Sequence, residues 1–294
     1  MFSMNYLINQ VLYRKDKKVI LWGRLRKKAA ILTLIAIVLA ACATVPHTGR
    51  RQLNMISDNQ LNSVALKAFN DVVSKEKACS DERFNQAVKQ VSDRISKAAE
   101  SVDKPGFAWD VKVIEKDTPN AFCLPGGKIV VFTGLMPYVK NEAGLAAVIG
   151  HEVAHAVARH GAERLTQQLA VKGAVTVGGE ILKGEDGNLD RKSRLLLAAV
   201  GMGGTVGVIL PYSRLHETEA DRIGQIYMAS AGYDPSESVR LWERMAKITK
   251  PPIPEWLSTH PADGERVRKL NESLPEAQKF YAKAPAKYGL GMPL

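Results

Sequence analysis

His151-Glu152-Val153-Ala154-His155 holds two histidines four apart, with a glutamate directly after the first. A helix advances about 100° per residue, so these imidazoles would lie roughly 40° apart on one face. Two neutral imidazoles held that way can take two corners of a tetrahedral Zn²⁺. Glu152 stands where a carboxylate can accept a proton from a water acidified by that ion. The plain alternative is a surface helix with two histidines beside a glutamate. With six histidines in the chain, such an arrangement arises by chance on the order of one time in a hundred.

A hydrolytic zinc needs a third protein donor and an open fourth position. His160 falls roughly 160° from the middle of the two-histidine face and is not expected to bind. Ala158 and Gly161 stand where a metzincin would carry its glycine and third histidine. Glu163 sits too near on the same helix, and Glu180 and Glu185 flank a polar loop. Glu217 and Asp221 differ, because their i, i+4 spacing puts both carboxylates on one helical face. Glu217 is the expected third ligand, and Asp221 the acceptor for the N–H of a ligand histidine, His151 for preference. Glu219 lies about 200° from Glu217 and would point elsewhere; His216, about 100° away, is the weaker candidate.

The elements that must position these residues are legible in the periodicity. Leu61, Val64, Ala65, Ala68, Phe69 and Val72, then Phe84, Ala87, Val88, Val91 and Ile95, recur at helical spacing. They predict two helices broken near Ala78–Asp81, with Ser80 or Asp81 capping the second. Phe107 to Ile114 alternates as a strand. Ala121–Leu124 and Lys128–Phe132 flank Pro125-Gly126-Gly127, which predicts a hairpin. That hairpin is either a cover for the core or an edge strand on which an extended substrate pairs. The HEVAH helix would bury Leu145, Ile149, Val153 and Ala156. Residues 164–192 predict a helix running into a polar loop at 184–190. The uncharged run 195–210 is short for a membrane span and rich in glycine, so it predicts a buried or membrane-dipping helix. A helix capped by Ser213 and closed by Gly232 follows, then one from Asp234-Pro235 to Met245. The fold class expected is α+β, predominantly helical, with a short β-sheet beside the HExxH helix.

Apolar residues make up 46% of the 294 and charged residues 24%, an ordinary globular balance. Of the net charge of +11, +7 lies in residues 1–42, so no basic stripe remains for nucleic acid. Residues 29–41 form an apolar stretch behind Arg24, Arg26, Lys27 and Lys28, the layout of a secretory signal. Leu39-Ala40-Ala41-Cys42 resembles a bacterial lipobox, which would lipidate Cys42; Ala43 after it favours the outer membrane. The expected organisation is a signal peptide at 1–41, a lipid-anchored tether at 42–60, one catalytic domain at 61–275 and a tail at 276–294. In an exported, oxidising setting Cys79 and Cys123 would be free to form a disulfide.

HEVAH followed by ETEAD and preceded by NAFCLPGG resembles the gluzincin zinc metallopeptidases that include HtpX, BepA, LoiP and the CAAX-prenyl proteases. With the lipobox, the likeness is to the bacterial lipoprotein, LoiP-like branch, over roughly residues 45–275. The resemblance implies a zincin-like fold, one zinc ion on His151, His155 and Glu217, and Glu152 as general base and acid, with Asp221 orienting a histidine. Ser258-Thr259-His260-Pro261 resembles a segment whose histidine can occupy the open zinc position in BepA-like relatives. His260 is thus implied either as a fourth, inhibitory ligand or as a transition-state donor. Carried over, the function is a zinc endopeptidase cleaving misfolded or unassembled envelope proteins from a lipid anchor on the periplasmic face of the outer membrane. The rivals are a latent chaperone or scaffold that binds unfolded outer-membrane proteins, and a CAAX-type protease spanning the membrane with residues 195–210.

Overall fold

The computed structural model describes residues 42–171, 213–248, 255–260 and 264–289. The signal segment 1–41, the loop 184–190, the apolar run 195–210 and the last residues of the tail lie outside the described residues. Two compact units form, Met1–Ala43 with Arg51–Leu53, and Thr44–Arg50 with Asn54–Leu294. The second holds all the candidate metal-site residues, while Cys42 lies in the first.

The N-terminal stretch expected to be a tether carries two short paired strands, β1 (Cys42–Thr44) and β2 (Arg51–Leu53). Between them the chain turns tightly, Val45 N–H donating to Arg50 O at 2.8 Å, and Val45 is buried. Helix α1 (Asp58–Lys75) starts on Ser57, whose side chain accepts from Gln60 N–H. Helix α2 (Glu82–Val102) starts on Asp81, which accepts from Arg83 and Phe84 N–H. Both capping oxygens satisfy donors that the first helical turn leaves open. The break falls where the sequence placed it, and Asp81 rather than Ser80 is the cap.

Strands β3 (Asp110–Ile114), β4 (Ala121–Leu124) and β5 (Lys128–Phe132) form a sheet in the order β3-β5-β4. β4 and β5 are the expected antiparallel hairpin, with Cys123 opposite Ile129, while β3 runs parallel to β5. Gly127 turns the hairpin at φ +81°, and a Cβ there would meet the Trp109 ring at 2.6 Å, so only glycine fits. Side chains alternate across the sheet as the pleat requires. Ile129 and Val131 face the main core, while Val130 and Phe132 face a second cluster with Leu61 and Phe69 of α1.

After a short helix α3 (Met136–Val139) comes α4 (Glu142–Val157), capped by Asn141, whose side chain accepts from Gly144 N–H at 2.8 Å. Nearly every residue of α4 is buried, including Leu145, Ile149, Val153 and Ala156, because β4, α2 and later helices cover it on several sides. Helices α5 (His160–Val171), α6 (Arg214–Ser230, capped by Ser213), α7 (Ser236–Ala246), α8 (Glu255–Thr259) and α9 (Gly264–Lys283) follow. α9 runs through residue 275 without a break and packs along α6. α4 and α6 cross at two glycines in backbone contact: a Cβ on Gly150 would lie 2.9 Å from Gly224 O, and one on Gly224 2.9 Å from His151 N.

One expectation is corrected. Cys79 and Cys123 are free thiols, not a disulfide. Cys79 N–H bonds to Val113 O on the outer side of β3, while Cys123 lies on β4, beyond β5. Three strand spacings separate them, roughly 14 Å, twice the reach of a disulfide between Cα atoms. Burial raises the Cys123 thiol pKa, with Glu152 adding to the effect, so it stays an inert protonated packing group.

Candidate metal centre

Three separate pieces of chain meet at one point. His151 and His155 come from consecutive turns of α4, Glu217 from the first turn of α6, and His260 from the residue after α8. One ligand atom from each of these four buried residues lies within 4.8 Å of all the others. His151 Nε2 is 3.0 Å from His155 Nε2 and 3.2 Å from His260 Nδ1. Glu217 Oε1 is 3.0 Å from His260 Nδ1 and 3.4 Å from His155 Nε2, and its Oε2 is 3.4 Å from His151 Nε2. Imidazole nitrogens and a carboxylate oxygen, all aimed inward, form the donor set that fits zinc.

The charges agree. Burial works against the charge on Glu217, yet His260, Arg266 and the two helical histidines hold it well below the usual carboxylate range. Burial and Arg266 disfavour a charged His151, but Asp221 and Glu217 carry its pKa up to about 9, so the field there favours positive charge. His155 is driven well below its ordinary value, first by burial, leaving the neutral imidazole that a metal requires.

Asp221 stands where spacing placed it: its Oδ1 is 3.0 Å from His151 Nδ1, so that N–H is held and Nε2 turns inward. Glu152 lies beside the cluster, its Oε1 2.7 Å from Trp256 Nε1, which donates to it, and 3.5 Å from His260 Nε2. β4 pairs on one side only among the described residues, and all four of its residues are buried. Trp256 N–H, on the segment carrying His260, donates to Pro119 O just before β4.

His160, Glu163, His216 and Glu219 are outside the four-residue cluster, and they were not chosen as ligands from the sequence. They instead form a second buried group behind it. His160 Nδ1 is 2.9 Å from His155 Nδ1, and its Nε2 is 3.2 Å from Glu219 Oε2. His216 Nε2 is 3.0 Å from Glu163 Oε2, and Arg50 bonds both carboxylates at 2.7–2.9 Å. Burial raises the Glu163 and Glu219 pKa values, but histidine and Arg50 bonds outweigh it and hold each at about 2.

Sequence reasoning missed Arg266 as a site residue. Buried at the start of α9, it bonds Asp221 Oδ2 through Nε at 2.6 Å and Oδ1 through Nη2 at 2.8 Å, and Glu217 Oε2 through Nη1 at 2.7 Å. Its guanidinium lies 3.3 Å from the centre of the Trp242 ring. Arg50 and Trp256 were missed too, because the carboxylates these three residues bond all lie far from them in sequence.

Residues 83–274, more than half the chain, match peptidase family M48. The mitochondrial metalloendopeptidase OMA1 of Schizosaccharomyces pombe is 37% identical over 80% of this chain and 67% of its own length. The human mitochondrial metalloendopeptidase OMA1 is 30% identical over 80% of this chain and 46% of its own. The β-barrel assembly-enhancing protease of Escherichia coli is 27% identical over 82% of this chain and 51% of its own. The chain thus spans about half the length of most of these relatives, and two thirds of the fission-yeast protein. These likenesses correct two expectations. The match is to mitochondrial metalloendopeptidases at up to 37% identity, above the bacterial proteases at 27–30%, not to a LoiP-like lipoprotein branch. The same finding overturns the location on a bacterial outer membrane that was read from the lipobox-like segment.

Proposed function

The chain belongs to peptidase family M48, and on that premise we propose that it cleaves internal peptide bonds of unfolded protein segments, with one zinc ion on His151, His155 and Glu217. The observation that carries this reading is the meeting of those three donors with Glu152 one residue along from the first. When bound, zinc supplies Lewis acidity that lowers the pKa of a water and polarises the scissile carbonyl. Glu152 takes the proton of the attacking water and delivers it to the leaving amine. Asp221 keeps the His151 proton on Nδ1, and Arg266 keeps Asp221 and Glu217 ionised and fixed. The edge of β4 that pairs with no strand among the described residues is where an extended substrate would add by main-chain hydrogen bonds.

His260 would supply a fourth donor to an ion held there, and Trp256 ties the Glu152 carboxylate, so one short segment engages both the ion site and the base. This arrangement supports reading His260 as a latch, and the same observation favours a second reading in which the protein binds unfolded chains without cutting them. The one pointer to unassembled β-barrel proteins as substrates is the name of the bacterial relatives, β-barrel assembly-enhancing proteases. The CAAX-type reading finds no support among the described residues, where no helix is long and apolar enough to cross a membrane; residues 195–210 lie outside them.

The test compares wild type, Glu152→Gln and His260→Ala on an unfolded protein, with zinc content measured in each. Glu152→Gln should keep its zinc and lose cleavage by at least about a hundredfold. His260→Ala should cleave several-fold faster. Equal cleavage by wild type and Glu152→Gln sinks the peptidase reading of this site. Slower cleavage by His260→Ala makes His260 a catalytic donor instead of a latch.

A further inference from the structure

We propose that His160 and Glu219 position the zinc ligand His155 through a directed hydrogen-bond chain, whose far end is held by Thr48 and Arg50. This rests on His155 being a zinc ligand, as proposed above.

His155 turns Nε2 to the centre of the cluster, 3.0 Å from His151 Nε2 and 3.4 Å from Glu217 Oε1. A neutral imidazole whose Nε2 lone pair goes to a cation carries its proton on Nδ1. That Nδ1 lies 2.9 Å from His160 Nδ1, so His160 Nδ1 must be the acceptor. The His160 proton is then on Nε2, which lies 3.2 Å from Glu219 Oε2, a carboxylate that can only accept. The opposite tautomer of His160 would set two N–H groups against each other and aim a lone pair at a carboxylate oxygen. The carboxylate end therefore dictates the direction of both bonds.

Glu219 is fixed in turn. Arg50 Nε lies 2.9 Å from each of its oxygens, and Thr48 Oγ1 donates to Oε1 at 2.8 Å. His160 is fully buried and stacks on His216, ring centres 4.5 Å apart and planes 18° from parallel. His151 has the shorter version of this arrangement: its Nδ1 meets Asp221 directly, and Arg266 backs the carboxylate. Each helical ligand thus leans on a carboxylate held by an arginine, His151 directly and His155 through one more imidazole. The second arginine, Arg50, lies outside the residues 83–274 that match the family.

Outer partners of this kind typically change metal affinity by about 10–100-fold. The experiment measures zinc affinity of the full chain by competition with a chromophoric chelator, alongside the visible absorption of the cobalt(II) form. His160→Leu keeps bulk but offers no acceptor, whereas His160→Asn is smaller yet places an amide oxygen close to the Nδ1 position. Zinc binding should weaken about 10–100-fold in His160→Leu and stay within about threefold of wild type in His160→Asn, with the cobalt spectrum altered only in the former. Glu219→Gln should weaken binding several-fold, while Glu163→Gln, which meets the same Arg50 and His216, should leave it near wild type. Wild-type affinity in His160→Leu, equal losses in the two His160 variants, or equal losses in Glu219→Gln and Glu163→Gln would each overturn the proposal. If His160→Leu does not fold, the two glutamate variants decide alone. His155→Ala tests the underlying reading separately: undiminished binding there removes His155 as a ligand.

Discussion

Arg266 reaches two buried carboxylates at once, Asp221 by two bonds and Glu217 by a third, while stacking on Trp242. Removing one partner of a buried ion cluster leaves charge that neither water nor a counter-ion relieves. Arg266→Met should therefore destabilise the chelated protein by about 3–5 kcal/mol. Urea unfolding in the presence of a chelator measures it. Saturating zinc should restore part of the loss, because the ion brings positive charge to the same carboxylates; no recovery would mean that Glu217 does not face the ion. This residue also marks where sequence reasoning stops. His151, His155, Glu217 and Asp221 were legible because each pair is four apart on one helix. Arg266 meets Asp221 across 45 residues, and Trp256 meets Glu152 across 104, contacts that exist only once α8 and α9 have packed.

What sets the distance between the histidines and Glu217 is the crossing of α4 and α6 at Gly150 and Gly224. A methyl on Gly224 would sit 2.9 Å from His151 N and 3.0 Å from Gly150 C, backbone atoms that cannot turn aside. Helix propensity favours Gly224→Ala by about 1 kcal/mol, and overpacking opposes it by about 1–3 kcal/mol. Because the crowded atoms are main chain, the upper part of that range applies and the variant should be destabilised by about 1–2 kcal/mol. The helices must also part, carrying Glu217 away from His151 and His155, so zinc affinity should fall with the melting temperature. Gly264→Ala, where nothing lies within 4 Å, is the control and should lose neither. Unchanged zinc binding in Gly224→Ala would show that the crossing does not set the site. The helices, caps and hairpin were legible from local periodicity and turn residues. The parallel pairing of β3 with β5 was not, since alternation fixes which face a strand buries and leaves its neighbour open.

At the scale of the molecule, the strap Thr44–Arg50 ties the start of the second unit to its catalytic core, with Arg50 between Glu163 of α5 and Glu219 of α6. The same strap sets His47 3.2 Å from Asp103, whose Oδ2 also accepts from Tyr227 at 2.6 Å. Composition read this stretch as a tether, because its apolar residues have no period; its fit depends on one buried valine and long-range ion pairs. Arg50→Met should lower stability by about 2–3 kcal/mol, less than Arg266→Met because Arg50 is partly exposed. Its pH dependence follows from Glu163, which faces Arg50, His216 and Gln167. Its pKa in the fold is about 2 against an ordinary 4.5. A depressed carboxyl contributes stability in full above 4.5 and loses it as the pH falls toward 2. The gap between wild type and Arg50→Met, measured by urea unfolding with chelator present, should be widest near pH 7 and close progressively below pH ~4.5. A gap that stays constant down to pH ~3 would mean that Arg50 acts through packing alone, and that its charge does not hold the strap to the metal centre.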